Sequence, residues 1–156
     1  MSYTGALLFL HVAGAIIGFG PAFAFAPMGP LAKSLGGPQA LGILKAIYKV
    51  QGMLVLPIAL VIQPLTGALL IFSRGLDEGF FSREWLWIAI LLYAILVSIA
   101  TLAIRPAIAQ MIKLAEDGKG QTPEFSAMAK RTAALGPLSA LLIVIIIFLM
   151  EIRPGA

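Results

Sequence analysis

Residues 85–104 read WLWIAILLYAILVSIATLAI, a continuous run without a single charged side chain. A helix needs about 20 mostly apolar residues to cross the roughly 30 Å hydrocarbon core of a bilayer, so this stretch is typical of a membrane span. Three further stretches qualify, and none contains Asp, Glu, Lys or Arg: residues 5–26, 52–72 and 133–150. Lipid offers the backbone no hydrogen-bond partners, which favours helices. The sequence therefore predicts an all-α integral membrane four-helix bundle, a single membrane domain over residues 1–156.

The overall composition supports this interpretation and narrows the chemistry. Hydrophobic residues make up 60% of the chain and charged residues 12%, and the mean hydropathy is +1.01. Soluble domains carry about 25% charged residues, so this surface is expected to face lipid. The absence of cysteine excludes disulfides, iron–sulfur clusters and thiolate metal sites. The basic balance is explained by charge asymmetry across a membrane, and nucleic acid is not an expected partner.

The distribution of Lys and Arg predicts the orientation. The first and third connections carry eight of the eleven basic residues: Lys33, Lys45, Lys49, Arg105, Lys113, Lys119, Lys130 and Arg131. Basic loops stay in the cytoplasm, so both termini are expected outside, with Trp85 and Trp87 in the outer interfacial belt. Helix-start signals at Gly37-Pro38 and Thr122-Pro123 predict that helix resumes within both basic connections.

An offset of 85 residues relates the two halves of the chain. It superposes Pro21 on Pro106, Pro38 on Pro123 and Lys45 on Lys130, with matching alanines between them. This pattern predicts two out–in–out helical hairpins related as a parallel repeat. Chance similarity in a chain rich in Pro and Ala is the alternative interpretation.

His11 is the only histidine and the only titratable side chain well inside a span. It is a candidate ligand for haem iron or another metal, and a candidate proton relay. The alternative is a neutral histidine hydrogen-bonded to a neighbour such as Thr66, which lies at a similar depth on the second span. Gln63 and Thr66 are the polar residues of that span. A single histidine supplies one axial haem ligand, so a second copy of the chain, a methionine or an open position would complete the site.

Three other features predict packing or binding. Gly14 and Gly18 form a GxxxG pair, which lets another helix of the chain or of a second subunit approach closely. Arg105, at the inner end of the third span, is expected to snorkel to phosphate headgroups or to reach Gln51 or Glu124. Four methionines lie toward the cytoplasmic side, where thioethers suit Cu(I) or serve as apolar filler: Met28, Met53, Met111 and Met128.

Leu10-His11-Val12-Ala13-Gly14, followed by Gly18 and Gly20, resembles the first-helix motif of CopD-type copper-resistance and HemJ-like membrane proteins. A closer likeness is to an uncharacterised family of small bacterial predicted integral membrane proteins. The second helix of that family is similar to residues 57–67, and its third is similar in ending near Arg105-Pro106. The resemblance implies a multi-pass protein of the bacterial inner membrane. In HemJ-like relatives the matching histidine is associated with haem b and protoporphyrinogen oxidation, which makes His11 a candidate haem b ligand.

Three functional hypotheses follow. No carboxylate lies in any span, and the chain lacks a P-loop and an HExxH motif, so neither a coupled pump nor a common hydrolase is indicated. The leading hypothesis is a non-enzymatic accessory subunit in a homo-oligomer or larger membrane complex, with membrane lipid as its surroundings. The second is a haem b redox protein that uses His11. The third is a passive channel or small-molecule permease along the proline-containing helices.

Overall fold

A computed structural model of the chain describes residues 2–35 and 37–154, apart from the side chains of residues 26, 30 and 33. The described residues form four long helices and no strand. The first helix covers Tyr3–Leu35, and the other three cover Gly37–Ser73, Glu84–Glu116 and Pro123–Ile152. A short 3₁₀ turn, Phe80–Ser82, precedes the third helix. All four are long and apolar enough to cross a membrane, which confirms the prediction of an all-α protein with four membrane-spanning helices.

The helices extend beyond the predicted spans mainly at one end of the bundle. At that end, called the basic end here, the second helix begins at Gly37 and residues 117–122 join the third helix to the fourth. The second helix starts at Gly37 and the fourth at Pro123, where the sequence placed helix starts. The Thr122 hydroxyl oxygen caps the fourth helix by accepting a hydrogen bond from the backbone N–H of Phe125 at 3.3 Å. Hydropathy detects only the lipid-embedded part of these helices, which explains their greater observed length.

A compact apolar cluster holds the basic end together. Leu44 and Ile47 of the second helix pack against Ile108 and Met111 of the third, and all four side chains are buried. Phe125, Met128 and Ala129 of the fourth helix and Phe25 and Met28 of the first cover this cluster. An exposed ion pair between Lys45 Nζ and a Glu116 carboxylate oxygen, 2.7 Å apart, joins the second and third helices beside it.

Prolines widen the second and third helices into π-helical turns. The turns are Gln51–Val55, Ile58–Ile62 and Ile99–Ile104, and each ends two residues before a proline: Pro57, Pro64 and Pro106. A proline inside a helix has no N–H to donate and clashes with the carbonyl four residues earlier. The residue before each proline instead donates to the carbonyl five residues back, as Arg105 does to Ala100. The wider turn relieves the clash without breaking the helix.

Large apolar side chains cover the outside of the bundle. Leu102 is 77% exposed, Met53 70%, and Ile16 and Phe72 each 67%. Such a surface is unfavourable in water and is expected in lipid. The two tryptophans behave differently. Trp87 is 36% exposed, whereas the ring of Trp85 is buried inside the bundle at 4% exposure, 5.5 Å from the Arg153 guanidinium. Trp85 therefore packs within the protein instead of presenting its ring to the outer interface.

Candidate functional site

The polar side chains of the first two helices meet at one place. His11 Nδ1 lies 2.9 Å from Thr66 Oγ1, and His11 Nε2 lies 3.2 Å from Gln63 Nε2. Gln63 and Thr66 are three residues apart, so both side chains project from one face of the second helix toward His11. The structure thus brings together the three polar intramembrane residues that the sequence singled out.

The donors and acceptors of this group form one consistent chain. The Gln63 amide donates to His11 Nε2, which leaves the ring proton on Nδ1 to be donated to Thr66 Oγ1. The Thr66 hydroxyl then donates to the backbone carbonyl of Ile62 at 2.7 Å. This assignment of the tautomer follows from the orientation of the Gln63 amide. Within this three-residue group, the buried Gln63 Oε1 has no hydrogen-bond partner among the described residues.

Glycines make the close approach of the first two helices possible. A Cβ added at Gly67 would lie 3.2 Å from His11 Cε1, and one at Gly14 would lie 3.0 Å from Gln63 Oε1. One at Gly18 would lie 2.6 Å from Cγ2 of Ile58. The GxxxG pair formed by Gly14 and Gly18 therefore faces the second helix of the same chain, and both glycines are buried.

The surroundings of His11 do not fit haem in this arrangement. A histidine ligand presents a ring-nitrogen lone pair to the iron, and the lone pair on Nε2 is occupied by the Gln63 amide. The described residues contain no cluster of three or more His, Asp or Glu suited to a metal ion. Haem b binding by His11, which the resemblance implies, is untested and would require Gln63 to turn away.

Arg105 is held by the second helix. Its guanidinium lies 4.0 Å from the centre of the Tyr48 ring, and Nη1 donates to the Tyr48 carbonyl at 3.2 Å. A Cβ at Gly52 would lie 2.9 Å from Nη2, so the glycine makes room for the guanidinium. Of the two side chains that the sequence proposed as partners, Gln51 makes no hydrogen bond with Arg105, and Glu124 accepts one from Gln110 at 2.9 Å instead.

A cavity that the sequence interpretation did not anticipate lies between the helices. Its volume is about 670 Å³, and residues from all four helices line it. On the four helices in turn, the lining residues farthest from the basic end are Gly18, Ala59, Leu96 and Ile143. From that level the cavity extends to the basic end. The His11–Gln63–Thr66 group does not belong to its lining.

Small residues at helical spacing create the space. In the first helix the lining includes Gly18, Ala22, Gly29 and Ala32, which recur three, four or seven residues apart on one face. The fourth helix repeats the pattern with Ser126, Ala129, Ala133, Gly136 and Ser139. This recurrence of small residues on one face of two helices is the sequence signal that could have indicated the cavity.

The lining is mostly apolar and contains few polar groups. Thr132 and Ser139 donate to carbonyls of their own helix, at 3.0 and 2.8 Å, so their hydroxyls are satisfied. Gln51 is only 9% exposed, and no side chain or backbone group in the described part of the chain pairs with its Oε1. Lys130 is exposed and makes no ion pair with any described residue. Among the side chains that the structure describes, the cavity lining therefore combines an apolar interior with the amide of Gln51 and the cation of Lys130.

A family model described as "Predicted integral membrane protein (DUF2269)" matches residues 5–154. This match confirms the predicted kinship with a family of predicted integral membrane proteins, whereas the resemblance to CopD-type and HemJ-like proteins stays a prediction. Comparisons with curated proteins and with solved structures give no match.

Proposed function

The chain belongs to this family of predicted integral membrane proteins, and on that premise we propose that it is a non-enzymatic binding protein for a small amphipathic molecule. The proposed site is the cavity between the four helices. The single observation that carries the proposal is this cavity of about 670 Å³, because ligand sites in proteins are mostly apolar concavities of roughly 300–1,000 Å³ with a few placed polar groups.

The charge distribution supports placing the cavity on the cytoplasmic side of a bacterial inner membrane. Eight of the eleven Lys and Arg residues flank the basic end, and basic segments stay in the cytoplasm. Both termini would then lie outside, and the cavity would reach from the cytoplasmic surface toward the middle of the membrane.

The one-sided shape of the cavity favours binding over passive flux. Its lining ends at Gly18 and Ile143, and the hydrogen-bonded His11–Gln63–Thr66 group joins the first two helices closer to the outer side. A channel would need the cavity to continue past that level, and the lining residues that the structure describes do not include His11, Gln63 or Thr66.

The packing of the two glycines also weakens one argument for an oligomeric accessory subunit. Small residues on an outer face would invite a second subunit, but Gly14 and Gly18 are already covered by Ile58 and Gln63 of the same chain. Membership of a larger complex stays a prediction, and the mass of the detergent-extracted protein tests it.

Filling the cavity tests the proposal. Ala100 lines it and Ala94, on the same helix, is exposed and does not. We expect native mass spectrometry of the extracted protein to detect a bound small molecule, which Ala100→Phe removes and Ala94→Phe retains. Thermal unfolding of both variants verifies that they fold. Equal retention of the bound species by the two folded variants, or no bound species in any sample extracted in mild detergent, would contradict the proposal.

A further inference from the structure

We infer that the cavity takes a single-chain amphiphile with an anionic headgroup, with the apolar chain inside the cavity and the headgroup at Lys130. This inference rests on the proposed function and names the chemical class of its ligand. Carboxylate and phosphate headgroups are both anionic, and the experiment below distinguishes between them.

The charge of the lining residues favours a ligand with an anionic headgroup. Lys130 is the one charged residue of the described lining, which contains no Asp or Glu. Two other cations of the basic end are already engaged: Lys45 pairs with Glu116 at 2.7 Å, and Arg105 stacks on Tyr48 at 4.0 Å. A cation at the rim of an apolar cavity attracts an anion, because the low-dielectric walls strengthen its field.

The buried amide supplies a second, independent indication of a polar ligand group. Gln51 makes no side-chain hydrogen bond with any described residue, although it is 9% exposed and lines the cavity. Buried polar groups are nearly always hydrogen-bonded, so an unpartnered amide in a cavity wall indicates a partner that the chain itself does not provide. The buried atom without a partner is Oε1, an acceptor, which pairs with a donor such as a protonated acid group or a water molecule, whereas the NH₂ group of the same amide can donate to an anionic headgroup.

The length and volume of the cavity favour one chain. On the fourth helix the lining runs from Phe125 to Ile143 and includes Lys130, the proposed headgroup site. The span that matters for the chain is the one between Lys130 and Ile143. They are separated by thirteen residues, which at about 1.5 Å per residue gives roughly 20 Å. An apolar chain of that length fits along the small-residue faces of the first and fourth helices. The walls beside it are aliphatic and aromatic, as at Phe19, Leu56 and Ile104.

Photocrosslinking in bilayer discs of zwitterionic lipid tests the inference. The probes are palmitic acid with a diazirine at the chain end, the neutral alcohol of the same chain, and the corresponding alkyl phosphate. We expect the anionic probes to label the peptide that contains Ser139 and Ile143 more strongly than the alcohol does. Lys130→Gln should reduce anionic labelling about fivefold, the magnitude of an exposed ion pair, and leave the alcohol unchanged.

Arg131→Gln is the matched control. It removes the same charge from the adjacent position, but Arg131 does not line the cavity, so labelling by every probe should persist. The stronger of the two anionic probes identifies the headgroup. Equal labelling by acid, phosphate and alcohol, unchanged in Lys130→Gln, would overturn the anionic ligand while leaving the binding function intact. If no probe labels the peptide that contains Ser139 and Ile143, even in the protein without Ala100→Phe, both the anionic ligand and the binding function are overturned.

Discussion

Replacing Gly18 with alanine should destabilise the protein by forcing the first helix away from the second. The new Cβ would lie 2.6 Å from Cγ2 of Ile58 and 3.2 Å from its Cβ. Ordinary contact begins at 3.4 Å, so the nearer approach is too short by 0.8 Å (3.4 minus 2.6). The β-branched Ile58 has little rotamer freedom in a helix and cannot turn aside. Overpacking of this kind costs about 1–3 kcal/mol.

Gly20 provides the control for helix propensity. A Cβ at Gly20 meets nothing within 4 Å, so Gly20→Ala should gain up to about 1 kcal/mol of helix propensity. Gly18→Ala gains the same amount before the clash is counted, and the difference between the two variants isolates the clash. We expect Gly18→Ala to be less stable than Gly20→Ala by about 1–3 kcal/mol. Unfolding in detergent, monitored by tryptophan fluorescence, measures this difference. Adding Ile58→Ala should recover part of the loss. Two alanine variants of equal stability would refute the described packing.

Four further predictions concern a hydrogen bond, haem binding, charge and topology. Thr66→Val removes the acceptor of the His11 ring proton and should cost about 1 kcal/mol in the same unfolding assay; a neutral effect would argue against this bond. The purified protein should show no Soret band, whereas a band that His11→Ala abolishes would establish His11 as a haem ligand. Lys45→Ala breaks an exposed ion pair with Glu116 and should cost less than about 1 kcal/mol; a larger loss would mean that the pair is shielded from solvent. Because the chain has no cysteine, Ser2→Cys gives a single label site that an impermeant reagent should reach only from outside intact cells.

The sequence predicts the four spans well because the bilayer imposes a length and a polarity that can be counted directly. The helix starts at Gly37 and Pro123 can be predicted equally well, since a proline at the first helical turn leaves no hydrogen bond unmade. The meeting of His11 with Thr66 could also be anticipated, because both lie at a similar depth in adjacent spans. Gln63 as the second partner depends on the relative rotation of the helices, which hydropathy does not contain.

The cavity and the partners of Arg105 could not be predicted in the same way. A face of small residues is compatible with close packing or with empty space, and only the arrangement of all four helices decides between them. The first helix shows both outcomes, since Gly14 is in contact with Gln63 whereas Gly29 and Ala32 line the cavity. The π-helical turn before Pro106 likewise changes the direction of Arg105 by an amount that residue spacing does not reveal.

The proposed function requires a cavity that reaches the middle of the membrane from the cytoplasmic side, and single-cysteine labelling measures this reach. Ala100 lines the cavity, whereas Ser98, two residues earlier on the same helix and therefore at nearly the same depth, is exposed outside it. A charged thiol reagent added to the cytoplasmic face of inverted membrane vesicles should modify Ala100→Cys and spare Ser98→Cys. The same reagent added to the outer face of the membrane should modify neither cysteine. Equal rates for the two cysteines, or labelling of Ala100→Cys from the outer face alone, would contradict the account.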